Sequence, residues 1–149
     1  MPDYATLYIA DPSMLGSRIF DEIDIIQEYE GVSQDEIATG VIFDVGVAHI
    51  RMNFMPTEEI EEHLAGLTGY VQGVCDDQDQ LVYTLSRVRR VCFVAGCVIE
   101  PGFDDDGIVQ DFLLELNRRL NALLFIWDSL VDFNGHPLIG PLANSDQVL

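Results

Sequence analysis

Short apolar runs and longer amphipathic stretches alternate along the chain, and this pattern predicts strands interleaved with helices. Residues 5–10 form an apolar, β-prone run that stops at an Asp-Pro pair, which predicts a first strand. Apolar residues then recur at helical spacing as far as Ile26, with charged residues on the other face. We therefore expect an amphipathic helix that ends near Gly31, followed by a surface segment over residues 32–38.

The middle of the chain predicts a hairpin followed by two helices. Apolar and polar residues alternate over residues 39–55, with a turn expected at residues 44–46. Thr57 is expected to cap the next helix, which we expect to break near Gly69 because three glycines weaken it. A second, shorter helix is expected to begin at the aspartates within residues 76–79 and to end in arginines that complement its dipole.

The last third of the chain predicts a core strand, a helix and a hairpin. Residues 91–99 are apolar at odd and even positions, as in a strand that is covered on both faces. We expect a helix over residues 108–123 and a short strand over residues 124–127. The Asn134-Gly135 pair is a strong signal for a hairpin turn between two further strands.

A length of 149 residues fits one domain with its own core. The predicted order is β-α-β-β-α-α-β-α-β with a closing hairpin, and it shows no repeat or linker. We expect a single α+β domain over residues 1–149, with a loose tail over residues 142–149. Its predicted fold class is a two-layer sandwich, with a ferredoxin-like mixed sheet and an appended C-terminal αβ unit.

The chain is strongly acidic and contains no lysine. Asp and Glu total 26 against 7 basic residues, and the net charge is −19. Such a field repels phosphate backbones, so we expect no nucleic-acid partner. The missing lysine rules out Schiff-base chemistry and a P-loop or pyridoxal-phosphate lysine. The chain is nevertheless 48% hydrophobic, which is too apolar for a disordered protein.

Two features bear on the compartment, the N-terminal residues and the cysteines. No apolar run approaches the roughly 18 residues that span a bilayer, and the first residues lack the regions of a signal peptide. We expect a cytoplasmic protein with no membrane partner. Cys75, Cys92 and Cys97 show no C-x-x-C spacing, which argues against a disulfide framework and a zinc site. We expect reduced thiols, two of them buried.

Acidic clusters and histidines are candidates for chemistry, and each has a structural explanation. Glu59 and His63 share a helical face, but a di-iron bundle requires Glu-x-x-His pairs on two helices. The acids at residues 104–106 are contiguous, unlike those of a calcium loop, and are expected to cap a helix. No catalytic motif accompanies the histidines. We therefore expect no catalytic residue, no metal and no cofactor.

Arg51, Trp127 and His136 are candidates for the lining of a small pocket. Arg51 stands alone among apolar β residues, where it is either an edge-strand gatekeeper or the partner of an acid across the sheet. Trp127 follows a predicted strand, and His136 lies beside the predicted hairpin turn. A half-buried core position is the commoner arrangement for tryptophan.

The layout of the chain resembles a known class of domains. A hairpin whose second strand ends in NFMP at residues 53–56 precedes a long helix and a closing strand with LFIW at residues 124–127. This layout is similar to that of uncharacterised bacterial domains of unknown function, over residues 5–140 in outline. The resemblance implies the fold and a bacterial origin, and it carries no catalytic residues.

These observations favour a non-catalytic acidic domain that binds a basic protein, as an inhibitor or immunity-like partner or as a nucleic-acid mimic, with a homodimer as one form of assembly. The candidate partner surface consists of Glu58, Glu59, Glu61, Glu62, Asp104, Asp105 and Asp106. One alternative is a small-molecule-binding domain or enzyme with its pocket near Trp127, His136 and Arg51. Another is a generic soluble domain whose acidity serves solubility in high salt.

Overall fold

The computed structural model describes residues 2–10, 25–29 and 40–142, which form a sheet and three helices. The strands are β1 (Asp3–Ile9), β2 (Ile25–Tyr29), β3 (Gly40–Asp44), β4 (His49–Phe54), β5 (Phe93–Glu100), β6 (Leu123–Ile126), β7 (Ser129–Val131) and β8 (Pro137–Ile139). The helices are α1 (Thr57–Val74), α2 (Gln78–Val88) and α3 (Ile108–Leu120). Within these ranges no helix combines the length and apolar character needed to cross a membrane.

The strands form one sheet in the order β2-β3-β4-β5-β1-β6-β7-β8. Every described pairing is antiparallel, so the prediction of a mixed sheet is wrong. Both β5 and β6 pair with β1, and α3 connects them, which makes a split β-α-β unit. The ferredoxin-like topology as a whole is not confirmed.

Helices cover both faces of this sheet. Along β1, Leu7 belongs to one apolar core and Tyr8 to a second core, and consecutive residues of a strand point to opposite faces. The core around Leu7 is completed by α3, and the core around Tyr8 by α1 and α2. A mixed α+β architecture is therefore confirmed. The two-layer sandwich is not confirmed, because the described helices divide between the two faces.

Both predicted hairpins are present. In the β3–β4 hairpin, the Gly46 amide donates to the Asp44 carboxylate at 2.8 Å, and Gly46 has a φ of 89°. In the β7–β8 hairpin, Gly135 has a φ of 85°, a conformation that favours glycine. The strand predicted at residues 91–99 is also confirmed as β5, with apolar residues in both cores.

Three local predictions are wrong. The helix expected to run to Gly31 is replaced over residues 25–29 by β2, because this segment pairs with β3. The remainder of that helix, the segment 32–38 and residues 143–149 of the tail lie outside the described residues. Thr57 does not cap α1, since it lies inside the helix and no side chain caps this end. The break expected at Gly69 is absent, because α1 continues to Val74 with its apolar side packed on the sheet.

Candidate functional site

A cleft of about 280 Å³ lies where the junction of α1 and α2 meets the edge strand β8. Its helical wall includes Cys75, Asp76 and Asp77, and its sheet wall includes His136 and Gly140. Carboxylates, an imidazole and a thiol therefore share one concave surface. Such a surface can bind a small polar group.

The helical wall is held by hydrogen bonds that the local sequence provides. The Asp77 carboxylate caps α2, accepting from the backbone amides of Asp79 at 2.9 Å and Gln80 at 3.2 Å. The Cys75 thiol donates to the Asp77 carbonyl at 3.4 Å. The side-chain amide of Gln80 donates to the Leu138 carbonyl of β8 at 3.1 Å. The wall is thus fixed against the edge of the sheet.

The sheet wall depends on a close approach that only glycine permits. Gly140 has a φ of 95°, and a Cβ built on it would lie 2.3 Å from the Asp128 carbonyl oxygen. Asp128 belongs to the tight β6–β7 turn, in which Trp127 and Asp128 have φ values of 50° and 60°. The Tyr70 hydroxyl of α1 donates to the same carbonyl at 2.6 Å. The end of β8 is therefore positioned by this turn and by α1.

A buried carboxylate, Asp132, lies at the end of β7 beside the cleft. It is 2% exposed and pairs with the Arg87 guanidinium of α2 at 3.3 Å. The Tyr83 hydroxyl donates to the same carboxylate, and the Phe133 amide donates to it at 2.9 Å. The hydrogen bond to Asp132, together with burial, raises the pKa of Tyr83. The Phe133 ring lies 5.4 Å from the guanidinium, so the cation is also in contact with an aromatic face.

Asp132 also connects helices α2 and α3, which lie on opposite faces of the sheet. Asn117 of α3 is fully buried, and its amide donates to the carbonyls of Asp132 at 3.0 Å and Val131 at 3.3 Å. Arg87 also donates to the Asn121 carbonyl beyond α3 at 3.5 Å. Helices from opposite faces are therefore joined through the turn that carries His136.

Of the three residues predicted to line a pocket, His136 lines the cleft and the other two do not. Trp127 lies in the turn at the opposite end of β7, 42% exposed, with its ring 4.8 Å from that of Phe103. Arg51 is exposed on β4, opposite Val98 of β5. A pocket that contains all three residues stays a prediction.

The predicted partner surface divides into two separate groups. The first group, which we call the α1 carboxylates, is Glu58, Glu59, Glu61 and Glu62. The second is the Asp104 to Asp106 run before α3. Because β4 leads into α1 and its antiparallel neighbour β5 leads toward α3, the groups lie at opposite ends of the sheet, on helices of opposite faces.

The two groups also differ in their contacts. Asp104 caps α3, accepting from the amides of Ile108 and Val109 at 2.9 Å each, and these hydrogen bonds lower its pKa. This confirms the expected helix cap. The α1 carboxylates are all exposed and form no ion pair or side-chain hydrogen bond with the part of the chain that the structure describes. They are therefore available to an external partner.

The histidines lie apart from one another. The Tyr8 hydroxyl and Nε2 of His63 are hydrogen-bonded at 2.8 Å, and burial raises the pKa of Tyr8 to about 12. His49 lies 3.8 Å from the Asp44 carboxylate in the β3–β4 hairpin, and His136 lines the cleft. Among the described residues, no group of three or more His, Cys, Asp or Glu side chains is arranged to hold a metal.

The cysteines are free thiols in three different environments. Cys97 is buried in the core of the α3 face, and this burial raises its pKa to about 12. Cys75 is half-buried in the cleft, and Cys92 is exposed. The expectation of two buried thiols is wrong, because Cys92 precedes β5 and lies outside the core.

Sequence reasoning missed Asp132 and its partners. The sequence places Arg87 at the end of α2, where its charge complements the helix dipole. Its partner Asp132 lies 45 positions away along the chain, so no local pattern connects the two residues. The available signal was an acid between Val131 and Phe133 in an otherwise apolar run. An acid in that setting requires a buried partner.

Comparison of the chain with protein-family models, curated proteins and solved structures finds no match. The functional assignment therefore depends on the chemistry of the chain's own residues.

Proposed function

We propose that the protein is a non-catalytic domain that binds a basic protein through the α1 carboxylates. The observation that carries this proposal is that these four glutamates are exposed and unpaired within the described residues. We include in the proposal an inhibitory or immunity-like role, a cytoplasmic location and a bacterial origin. For the fold, the split β-α-β unit supports a ferredoxin-like core as a proposal.

Other acids of the chain have internal tasks. Asp77 and Asp104 cap helices, Glu115 binds two arginines, and Asp132 binds Arg87. In contrast, the helix dipole explains only half of the α1 carboxylates. A carboxylate stabilises a helix in its first turn, and only Glu58 and Glu59 lie there. The rest of this acidic group has no structural role among the described residues.

The α1 carboxylates also repel one another. Glu58 and Glu62 are four positions apart on the helix, and like charges at this spacing destabilise a helix by a few tenths of a kcal/mol. α1 contains no lysine or arginine that could offset this repulsion. A partner that brings lysine or arginine side chains to this surface relieves the repulsion and gains ion pairs. The net charge of −19 further speeds the encounter with such a partner.

A charge-matched pair of variants tests the proposal. The first variant replaces the α1 carboxylates by glutamine. The control replaces four exposed acids elsewhere by asparagine: Asp79, Asp105, Asp106 and Asp111. Both raise the net charge by four, from −19 to −15. Immobilised wild-type protein and both variants are exposed to purified basic proteins in low and in molar salt.

We expect wild type and control to retain a basic protein at low salt, and the α1 variant to lose it. Four exposed ion pairs at about 0.5 kcal/mol each amount to about 2 kcal/mol, or about a 30-fold weaker Kd. Equal retention by the two variants would show that the acidity acts only as overall charge, as a solubility role in high salt predicts.

A further inference from the structure

We propose that the cleft between the α1–α2 junction and β8 binds an arginine side chain presented by the basic partner. This inference rests on the proposed function and names the group that the partner inserts. The cleft lies near the end of α1 away from the α1 carboxylates, so it adds a specific anchor to a general electrostatic attraction.

The charge of the cleft favours a cation. Asp76 lines it, is exposed and forms no ion pair within the described ranges. Asp77 uses one carboxylate oxygen to cap α2, which leaves the other oxygen available. An anion is disfavoured, because the amides of Asp79 and Gln80 that a helix N-terminus would offer are already occupied by Asp77.

No arginine among the described residues lines the cleft. The chain contains no lysine. Arg87 pairs with Asp132, and Arg118 pairs with Glu115. Arg89 and Arg90 lie beyond the far end of α2, about 16 Å along the helix from the cleft.

Arginine fits the cleft better than lysine does. A guanidinium is planar and can donate two parallel hydrogen bonds to one carboxylate, and it stacks on flat rings. Asp76 offers the carboxylate and His136 the ring, from opposite walls. The cleft, at about 280 Å³, is close to the lower end of the range for small-molecule sites.

Cys75 provides a direct reporter of occupancy, since its half-buried thiol lines the cleft. The experiment measures alkylation of Cys75 by iodoacetamide in the intact protein, with the exposed Cys92 as internal control. The probe is N-acetyl-argininamide, and N-acetyl-citrullinamide is its uncharged counterpart. The ring resonances of His136 give a second readout by NMR.

We expect argininamide at millimolar concentration to slow alkylation of Cys75 about twofold at half occupancy, with Cys92 unchanged. Asp76→Asn should abolish this protection, and the nearby Asp79→Asn should preserve it. No protection of Cys75 and no shift of His136, or equal protection by citrullinamide, would overturn the inference. The glutamine variant of the α1 carboxylates should retain protection, so this test is separate from that of the proposed function.

Discussion

Replacement of Asp132 by asparagine tests the buried ion pair that fixes α2 and the His136 turn beside the cleft. Asparagine has nearly the same shape, so packing is preserved. Its one amide oxygen can accept from the Phe133 amide in place of Oδ1 of Asp132, and its NH2 group then takes the place of Oδ2 and can donate to the Tyr83 hydroxyl. What it removes is the charge opposite Arg87, whose side chain is 14% exposed. The substitution therefore leaves a largely buried cation without its counter-charge.

Breaking a buried ion pair from one side costs about 3–5 kcal/mol. Arg87 keeps its hydrogen bond to Asn121 and its contact with the Phe133 ring, so we expect the lower value, about 3 kcal/mol. For a chain of this length this corresponds to a fall in Tm of roughly 6–12 °C. Urea unfolding followed by circular dichroism should show a lower midpoint with an unchanged slope.

The matched control is Asp105→Asn, which removes the charge of an exposed acid and should change stability by less than about 0.5 kcal/mol. The double variant Asp132→Asn/Arg87→Met should lose less than the sum of its single variants, because neither charge is then left alone. A loss below about 1 kcal/mol in Asp132→Asn would refute this reasoning.

The same variant has a second signature at high pH. The hydrogen bond to Asp132 raises the pKa of Tyr83 above its ordinary value of 10.0. A group whose pKa is raised in the folded state stabilises the fold below its ordinary pKa, and this contribution is lost as the pH rises through the folded value. Asp132→Asn should therefore lower the pKa of Tyr83, measured from the ultraviolet absorbance of tyrosinate.

Three further predictions concern glycines and acid stability. Gly69→Ala should stabilise α1 by about 1 kcal/mol in urea unfolding, since the new methyl group enters open space; a destabilised variant would contradict this. Gly140→Ala should lower stability by more than about 3 kcal/mol, because the new Cβ clashes with the backbone. Gly135→Ala also places a side chain at positive φ but enters open space, so it should cost only about 1 kcal/mol. Equal losses in the two variants would contradict this. Two arginines lower the pKa of Glu115 from its ordinary 4.5 to about 2, so its contribution to stability is present above the ordinary value and is lost as the pH falls toward the folded value. Glu115→Gln should flatten that part of the acid unfolding profile at low salt. In high salt the effect should be small, because Glu115 is 43% exposed and its ion pairs are screened. An unchanged profile at low salt would disprove the pairing.

Elements with a clear hydrophobic period could be predicted from the sequence, and a segment with an ambiguous one could not. In β5, apolar residues occupy both odd and even positions, which indicates a strand covered on both faces. The structure agrees, because residues of β5 lie in both cores. Ile25 and Ile26 fit the period of a helix equally well, and pairing with β3 decides for a strand. Periodicity identifies the buried side of a helix, but not which face of a sheet it covers.

The cleft could be predicted only in part. His136 was identified from its position beside the Asn134-Gly135 turn. The opposite wall comes from Cys75 and Asp76, which approach β8 only because α1 and α2 pack on the same face. A contact between segments some 60 residues apart leaves no local pattern, so the wall of the cleft had to come from the structure.

The central claim is that the α1 carboxylates, and not acidity in general, bind the basic partner. The most direct measurement is the Kd for a retained basic protein as a function of salt concentration, for wild type and for the two charge-matched variants. We predict a steep rise of Kd with salt for wild type and for the control, and a flatter rise for the α1 glutamine variant. Identical salt dependence for the two variants would contradict the claim.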